Sequence, residues 1–227
     1  MSPAITCYAC ADLANSREHS PPRCLFPESK DLPPEVDLRK NLISVPSCTT
    51  HNSERSRDDE YLMWILALPV QGNAKKQAHF QSKGLRAFKR RPDTFIGLLD
   101  NLTPIQLKDA HGQVFESASF EVNLNRFDRC MWKIAIALFH HETGEKWLGG
   151  FRVFTDAFVE LKGKDAEQIN RKMREALAKM SYAFRGAPVK GENQEVFTYS
   201  IVRSAHANAV MMRFYEGIKV VVLLSDA

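Results

Sequence analysis

Two short pairs of soft donors stand out in the first quarter of the chain, Cys7-Tyr8-Ala9-Cys10 and Cys48-Thr49-Thr50-His51. Two residues between ligands let a tight turn aim both side chains at one ion, and thiolate sulfur and imidazole nitrogen are the donors that tetrahedral Zn²⁺ takes. One such pair is weak evidence. Two in one segment point to a structural zinc site on Cys7, Cys10, Cys48 and His51. The chain has five cysteines, and with no export signal disulfides are not their expected use. Cys24 stands alone between the pairs. Beside Leu25 and Phe26 it reads as a small buried hydrophobe, with replacement of His51 as fourth ligand as the alternative. Cys130 reads as packing on an apolar helix face.

Such a site needs elements to hold it. The stretch Ser20–Pro34 contains Pro21, Pro22, Pro27, Pro33 and Pro34, and proline fixes φ and removes a donor, so irregular loop is expected. Residues 1–57 carry few regular apolar patterns and are expected to depend on a metal staple. Acidic Asp58-Asp59-Glu60 then opens an apolar run, Tyr61 to Leu68, with Ser56 placed to cap it, which reads as a helix ended by Pro69. A basic helix is expected over Ala74–Arg91 and a short one over Asp93–Leu102. Two alternating runs within Ile105–Val122, around His111-Gly112, read as a hairpin. Phe127, Cys130, Met131, Ile134, Ala137 and Leu138 have helical spacing within Arg126–His141. Ile169, Met173, Leu177 and Met180 do the same within Asp165–Tyr182. Strands are expected at Val196–Arg203, Ala209–Tyr215 and Ile218–Leu224, the last two joined by a tight turn at Glu216-Gly217. The expected fold class is therefore α+β, with a small zinc-stapled unit over 1–68 and an α+β unit ending in an antiparallel sheet over 69–227.

Between the two ligand pairs lie Glu18-His19, then Pro21-Pro22, then Asn41-Leu42, and Asn52 follows the second pair directly. In this order the segment resembles the HNH, or ββα-metal, nucleases, specifically the subgroup framed by a zinc ribbon. Three departures mark it: His51 stands where the fourth cysteine is usual, the gap from Cys10 to Glu18 is short, and that from Asn41 to Cys48 is long. The resemblance implies a metal-dependent endonuclease. His19 would be the general base, since imidazole titrates near neutral pH and can take a proton from water. Glu18 and Asn52 would offer oxygen ligands to a catalytic Mg²⁺ or Mn²⁺, and Asn41 would orient the imidazole. DNA is the first substrate to consider, in a phage-defence or mobile-element setting. A single such module cuts one strand, so cutting both calls for a homodimer or two events.

Between Tyr61 and Pro92 no acidic residue occurs, while Lys75, Lys76, Lys83, Arg86, Lys89, Arg90 and Arg91 all fall there. At helical intervals these cations would form a stripe able to hold a phosphate backbone without reading sequence. The alternative is an ordinary solvated helix face. His140-His141 is not a metal pair, because adjacent residues on a helix point in different directions. No apolar run is long enough to span a membrane and no signal peptide is seen, so a cytoplasmic location is expected. Two rivals to the nuclease stand: a zinc module that binds nucleic acid without cutting it, and an interaction protein that docks through the zinc module. Glu18-His19 together with Asn52 separates the enzyme from both, since a purely structural zinc knuckle needs none of them.

Overall fold

The computed structural model describes residues 4–53, 56–67, 74–90, 102–108, 112–204 and 207–225. In chain order the elements are β1 (Ser16–His19), β2 (Ser44–Ser47), α1 (Thr49–Ser53), α2 (Ser56–Ala67), α3 (Ala74–His79), a wider π-type turn over Phe80–Gly84, α4 (Leu85–Arg90), β3 (Thr103–Lys108), β4 (Val114–Ser119), α5 (Leu124–Thr143), β5 (Gly150–Thr155), α6 (Ala166–Tyr182), β6 (Phe197–Arg203), β7 (Asn208–Phe214) and β8 (Ile218–Ser225). The pairs β1–β2 and β3–β4 are antiparallel hairpins, and the remaining strands form an antiparallel sheet in the order β5-β8-β7-β6. The fold is mixed α and β with antiparallel sheets, as the apolar patterning implies.

Helix α5 is the axle of the molecule. Asn123 caps its start by accepting from the Arg126 amide at 3.0 Å, and Gly144, at φ 73°, ends it with an N–H bonded to the His140 carbonyl. A helix on a protein surface buries one stripe. In α5 the consecutive residues Ile134 to Phe139 are all buried, so it is covered on every side. Strands β5, β7 and β8 lie against one flank, and α2 and β2 against another. The sheet presents Val210, Met212 and Phe214 of β7 with Val220, Val222 and Leu224 of β8 to this core. The opposite sheet face, with Val221 and Met211, meets Leu177 and Met180 of α6 and Phe184 beyond it.

The proline-rich segment joins the same core. Tyr8, Leu25, Phe26, Leu38 and Val45 belong to one apolar cluster with α2, α5 and the sheet. Polar ties reinforce it. Ser20 Oγ donates to the Ile134 carbonyl at 3.3 Å, the buried Tyr215 hydroxyl donates to the Leu25 carbonyl at 2.7 Å, and Asp58 of α2 accepts from Arg126 Nε at 2.8 Å. Residues on both sides of the expected 68/69 boundary thus share one core, and metal is not the sole support of residues 1–57.

Three further expectations change in detail. The β7–β8 connection has three residues, Tyr215-Glu216-Gly217, because Tyr215 and Glu216 both adopt left-handed backbone (φ 49° and 60°) and Phe214 pairs with Ile218. Strand β5 was not expected; its Gly-Phe-Arg-Val-Phe-Thr run is short, although Gly149 and Asp156 bound it. The apolar face of α6 is seated only toward its C-terminal half: Leu177 is buried, while Ile169 and Met173 are 49% and 39% exposed. The helix expected over 93–102 lies, but for Leu102, outside the described residues. Among those residues no helix is long and apolar enough to cross a membrane.

Candidate metal centre and its surroundings

The ligand pairs converge. The ligand atoms of Cys7, Cys10, Cys48 and His51 all lie within 4.8 Å of one another, a group able to hold a metal ion such as zinc. His51 Nδ1 stands 3.6, 3.5 and 3.2 Å from the sulfurs of Cys7, Cys10 and Cys48, and the sulfurs of Cys10 and Cys48 are 3.8 Å apart. A tetrahedron with the usual zinc–sulfur and zinc–nitrogen bond lengths has S···S edges of about 3.8 Å and S···N edges of about 3.6 Å. The donor set therefore fits the ion in chemistry and in size.

Local backbone explains the convergence. The Cys7 amide bonds to the Asp12 carbonyl and Thr6 bridges Leu13, which curls the first pair into a knuckle. The Tyr8 amide then bonds to the Pro46 carbonyl, pinning that knuckle beside β2. Cys48 sits between β2 and α1, and its carbonyl accepts the Asn52 amide, so His51 arrives one helical turn later on the same side. Burial pushes the Cys7 thiol up, but hydrogen bonds from the backbone N–H groups of Ala9 and Cys48 and from the Cys10 and Cys48 side chains together hold it below its ordinary range. Three thiolates and a neutral imidazole around Zn²⁺ carry one net negative charge. Lys146, far away in sequence, brings its ammonium to the Cys10 carbonyl at 2.6 Å and to Thr6 Oγ1 at 2.7 Å. No sequence signal near the knuckles marks Lys146. Cys24 stands apart and donates to the Asp59 carbonyl at 3.3 Å, and Cys130 is buried in the core. Burial pushes both thiols up to about 12.

The other expected residues fall on two sides of the β1–β2 hairpin. Glu18 is buried and accepts from Tyr8 OH at 3.3 Å and Ser47 Oγ at 3.4 Å. Asn52 on α1 donates to Ser16 Oγ at 3.0 Å. Ser16 and Glu18 share a face of β1, so Glu18 and Asn52 meet the same side of the hairpin. His19, at the end of β1, alternates to the other side, and its Nδ1 is buried with no hydrogen-bond partner. Asn41, at φ 53°, lies in the loop before β2, on the wall of a cleft that also includes Arg17 and Ser44. No family model, curated protein or solved structure matches this chain.

The basic block is not one continuous stripe. Its helical spacing does place Lys83 and Arg86 on one side, but that side meets the acidic loop 28–31. Arg86 grips both oxygens of Asp31 at 2.8 and 2.6 Å and reaches Glu28 at 3.2 Å, and its hydrogen bonds hold the Asp31 carboxyl below the usual range. Lys83 donates to the Cys24 carbonyl at 3.0 Å. Lys76 is buried and Lys75 pairs with Glu195 at 3.6 Å. Lys89 and Arg90 are exposed, and Arg91 lies outside the described residues.

His79 is buried in this network with its Nε2 3.0 Å from the Cys24 carbonyl. Burial, with Lys83 and Arg39 adding to it against the Cys24 hydrogen bond, lowers its pKa from 6.5 to about 4. A depressed histidine pKa means that the unfolded chain takes up a proton below about pH 6.5 while the folded chain resists until about pH 4. Its contribution is therefore full above that window and is lost as pH falls through it. Between pH 7 and pH 5 the wild type should lose about 2 kcal/mol more than His79→Gln, which keeps a donor for Cys24. Urea midpoints of both proteins at the two pH values check this, and equal losses would show that His79 is not buried neutral.

Proposed function

We propose that the N-terminal segment is a zinc-framed nuclease of the HNH type that hydrolyses phosphodiester bonds, with DNA as its first substrate. The observation that carries the reading is the order strand–strand–helix around the Cys₃His group, with His19 ending the first strand and Asn52 on the helix reaching back to it. His19 takes a proton from the attacking water. Asn41, in the loop before β2, is assigned to orient the imidazole, although His19 Nδ1 has no hydrogen-bond partner in the structure. Glu18 and Asn52, on the same side of the hairpin, would hold a Mg²⁺ or Mn²⁺ ion, which when bound offsets the negative charge that builds on the phosphate and leaving oxygen. The Cys₃His zinc is structural and fixes β2 to α1.

A zinc module that binds nucleic acid without cutting it is the second reading. It is favoured by the alternation that parts buried Glu18 from His19. Supercoiled plasmid incubated with the purified protein and Mg²⁺, Mn²⁺ or no divalent ion separates the two. Nicking that requires the ion is the expected result. A gel shift that weakens steeply with salt, without nicking under any ion, would replace the nuclease with the binding module.

A further inference from the structure

The cleft beside Asn41 has no part in holding either metal. It has a volume of about 510 Å³, and its walls include Arg17, Asn41, Ser44, His141, Lys190 and Tyr199. One wall is the side of the β1–β2 hairpin on which His19 also stands, since Arg17 and His19 alternate together and Ser44 pairs with His19. The other wall belongs to the end of α5 and to β6 with the strap before it.

Both walls are built rather than loose. Arg17 donates to Ser44 Oγ at 3.0 Å and to the Ser44 carbonyl at 2.6 Å, which holds the guanidinium against β2 and uses part of its five donors. Opposite, Glu142 receives Tyr199 OH at 2.6 Å and the Lys190 ammonium on its other oxygen. Lys190 and Tyr199 also exchange both backbone hydrogen bonds, at 2.8 and 3.0 Å. Gly191 lies tight against β6 at φ 121°, where a Cβ would come within 2.6 Å of the Phe197 carbonyl, so no larger residue fits. Asn193 Nδ2 donates to the Lys40 carbonyl at 3.0 Å and ties the two walls together. Two carboxylates stand against the Arg17 and Lys190 cations: Glu192 on the cleft lining and Glu142, which already pairs with Lys190.

We infer that this cleft takes a nucleotide-sized phosphate ester, carried on a single nucleic-acid strand, with Arg17 and Lys190 holding phosphate and Asn41 and His141 facing sugar and base. Small-ligand sites occupy about 300–1,000 Å³, so the cleft has room for roughly one or two nucleotides and cannot enclose a duplex. A planar guanidinium and an ammonium on facing walls are the usual phosphate donors. The side shared with His19 would bring a bound phosphate toward the proposed base. The choice of nucleic acid as the carrier rests on the nuclease reading, whereas recognition of the phosphate by the cleft does not.

The test measures binding of a fluorescein-labelled single-stranded dT tetranucleotide to the full chain without Mg²⁺, with adenosine monophosphate and a duplex of matched sequence as competitors. Arg17 and Lys190 are both solvent-facing, so Arg17→Ala, Lys190→Gln and the double variant should keep their zinc and their circular dichroism. The double variant is expected to bind at least tenfold more weakly, and Arg17→Ala alone several-fold, while Lys89→Ala with Arg90→Ala binds as wild type. Unchanged affinity in Arg17→Ala and in the double variant, loss confined to the Lys89 and Arg90 variant, or no binding of the tetranucleotide would overturn the inference. Adenosine monophosphate binding more tightly than the tetranucleotide would overturn the strand as the source. Cleft-dependent binding without plasmid nicking would sink the nuclease and leave the cleft standing, and nicking without cleft-dependent binding would do the reverse.

Discussion

Cys48→Ser is expected to abolish stoichiometric zinc and to release the N-terminal hairpin, while the sheet and α5 stay folded. Structural zinc in small sites contributes about 10–16 kcal/mol at neutral pH, as much as the whole net stability of a typical domain. Cys48 joins β2 to α1, and its sulfur lies 3.2 Å from His51 Nδ1 and 3.8 Å from the Cys10 sulfur. Losing it leaves Cys7 and Cys10 on one knuckle with nothing across from them but an imidazole. The damage should nevertheless stop at the shared core. Leu25, Phe26 and the α2 residues Trp64, Ile65 and Leu66 are buried against α5 and the sheet without the metal's help. Zinc content by chelator assay, with limited proteolysis to map the melted region, reads both effects. Cys24→Ser and Cys130→Ser should keep full zinc, because neither sulfur belongs to the cluster. A Cys48→Ser protein with full zinc and the wild-type digestion pattern would refute the four-ligand site.

His19→Ala should lower the rate of metal-dependent plasmid nicking by about 10²–10⁴-fold, the usual contribution of a positioned general base. Zinc content and melting temperature should hardly change. His19 is half-buried and its Nδ1 makes no hydrogen bond, so truncation removes no internal partner. This separation of activity from stability is what distinguishes a base from a packing histidine, for which both would fall together. Glu18→Gln provides the contrast. Glu18 is 6% exposed and tied to Tyr8 and Ser47, so that variant should disturb both metal-dependent rate and stability. Nicking by His19→Ala within about threefold of wild type would remove His19 from the mechanism.

The regular elements were largely legible because their signals are local. The spacing of Phe127, Cys130, Met131, Ile134 and Leu138 implies a helix, and α5 runs over Leu124–Thr143. The C-terminal strands fall within a residue or so of their expected bounds. The turn at Tyr215-Glu216-Gly217 was read one residue short. Left-handed backbone at a tyrosine is not a preference of the residue, and it accompanies a distant bond from its hydroxyl to Leu25. The acidic loop at Glu28 and Asp31 could not be assigned to the basic helices in advance, because nothing in either segment names the other.

By itself the sequence determined the four ligands of the candidate metal centre. A two-residue gap is a statement about one turn of backbone, and two such gaps need only be brought together. It also determined helices α2, α5 and α6 and strands β6 to β8, whose periods of 3.6 and 2 are written in consecutive residues, but not strand β5. What only the tertiary structure decided is everything carried by contacts between distant segments. Lys146 beside the Cys10 carbonyl, Arg86 on Asp31, the division of Glu18 and His19 between two sides of a hairpin, and the cleft between Arg17 and Lys190 are of this kind. Such contacts are set by how helices and sheets pack, and packing depends on shape and burial across the whole chain rather than on any spacing along it.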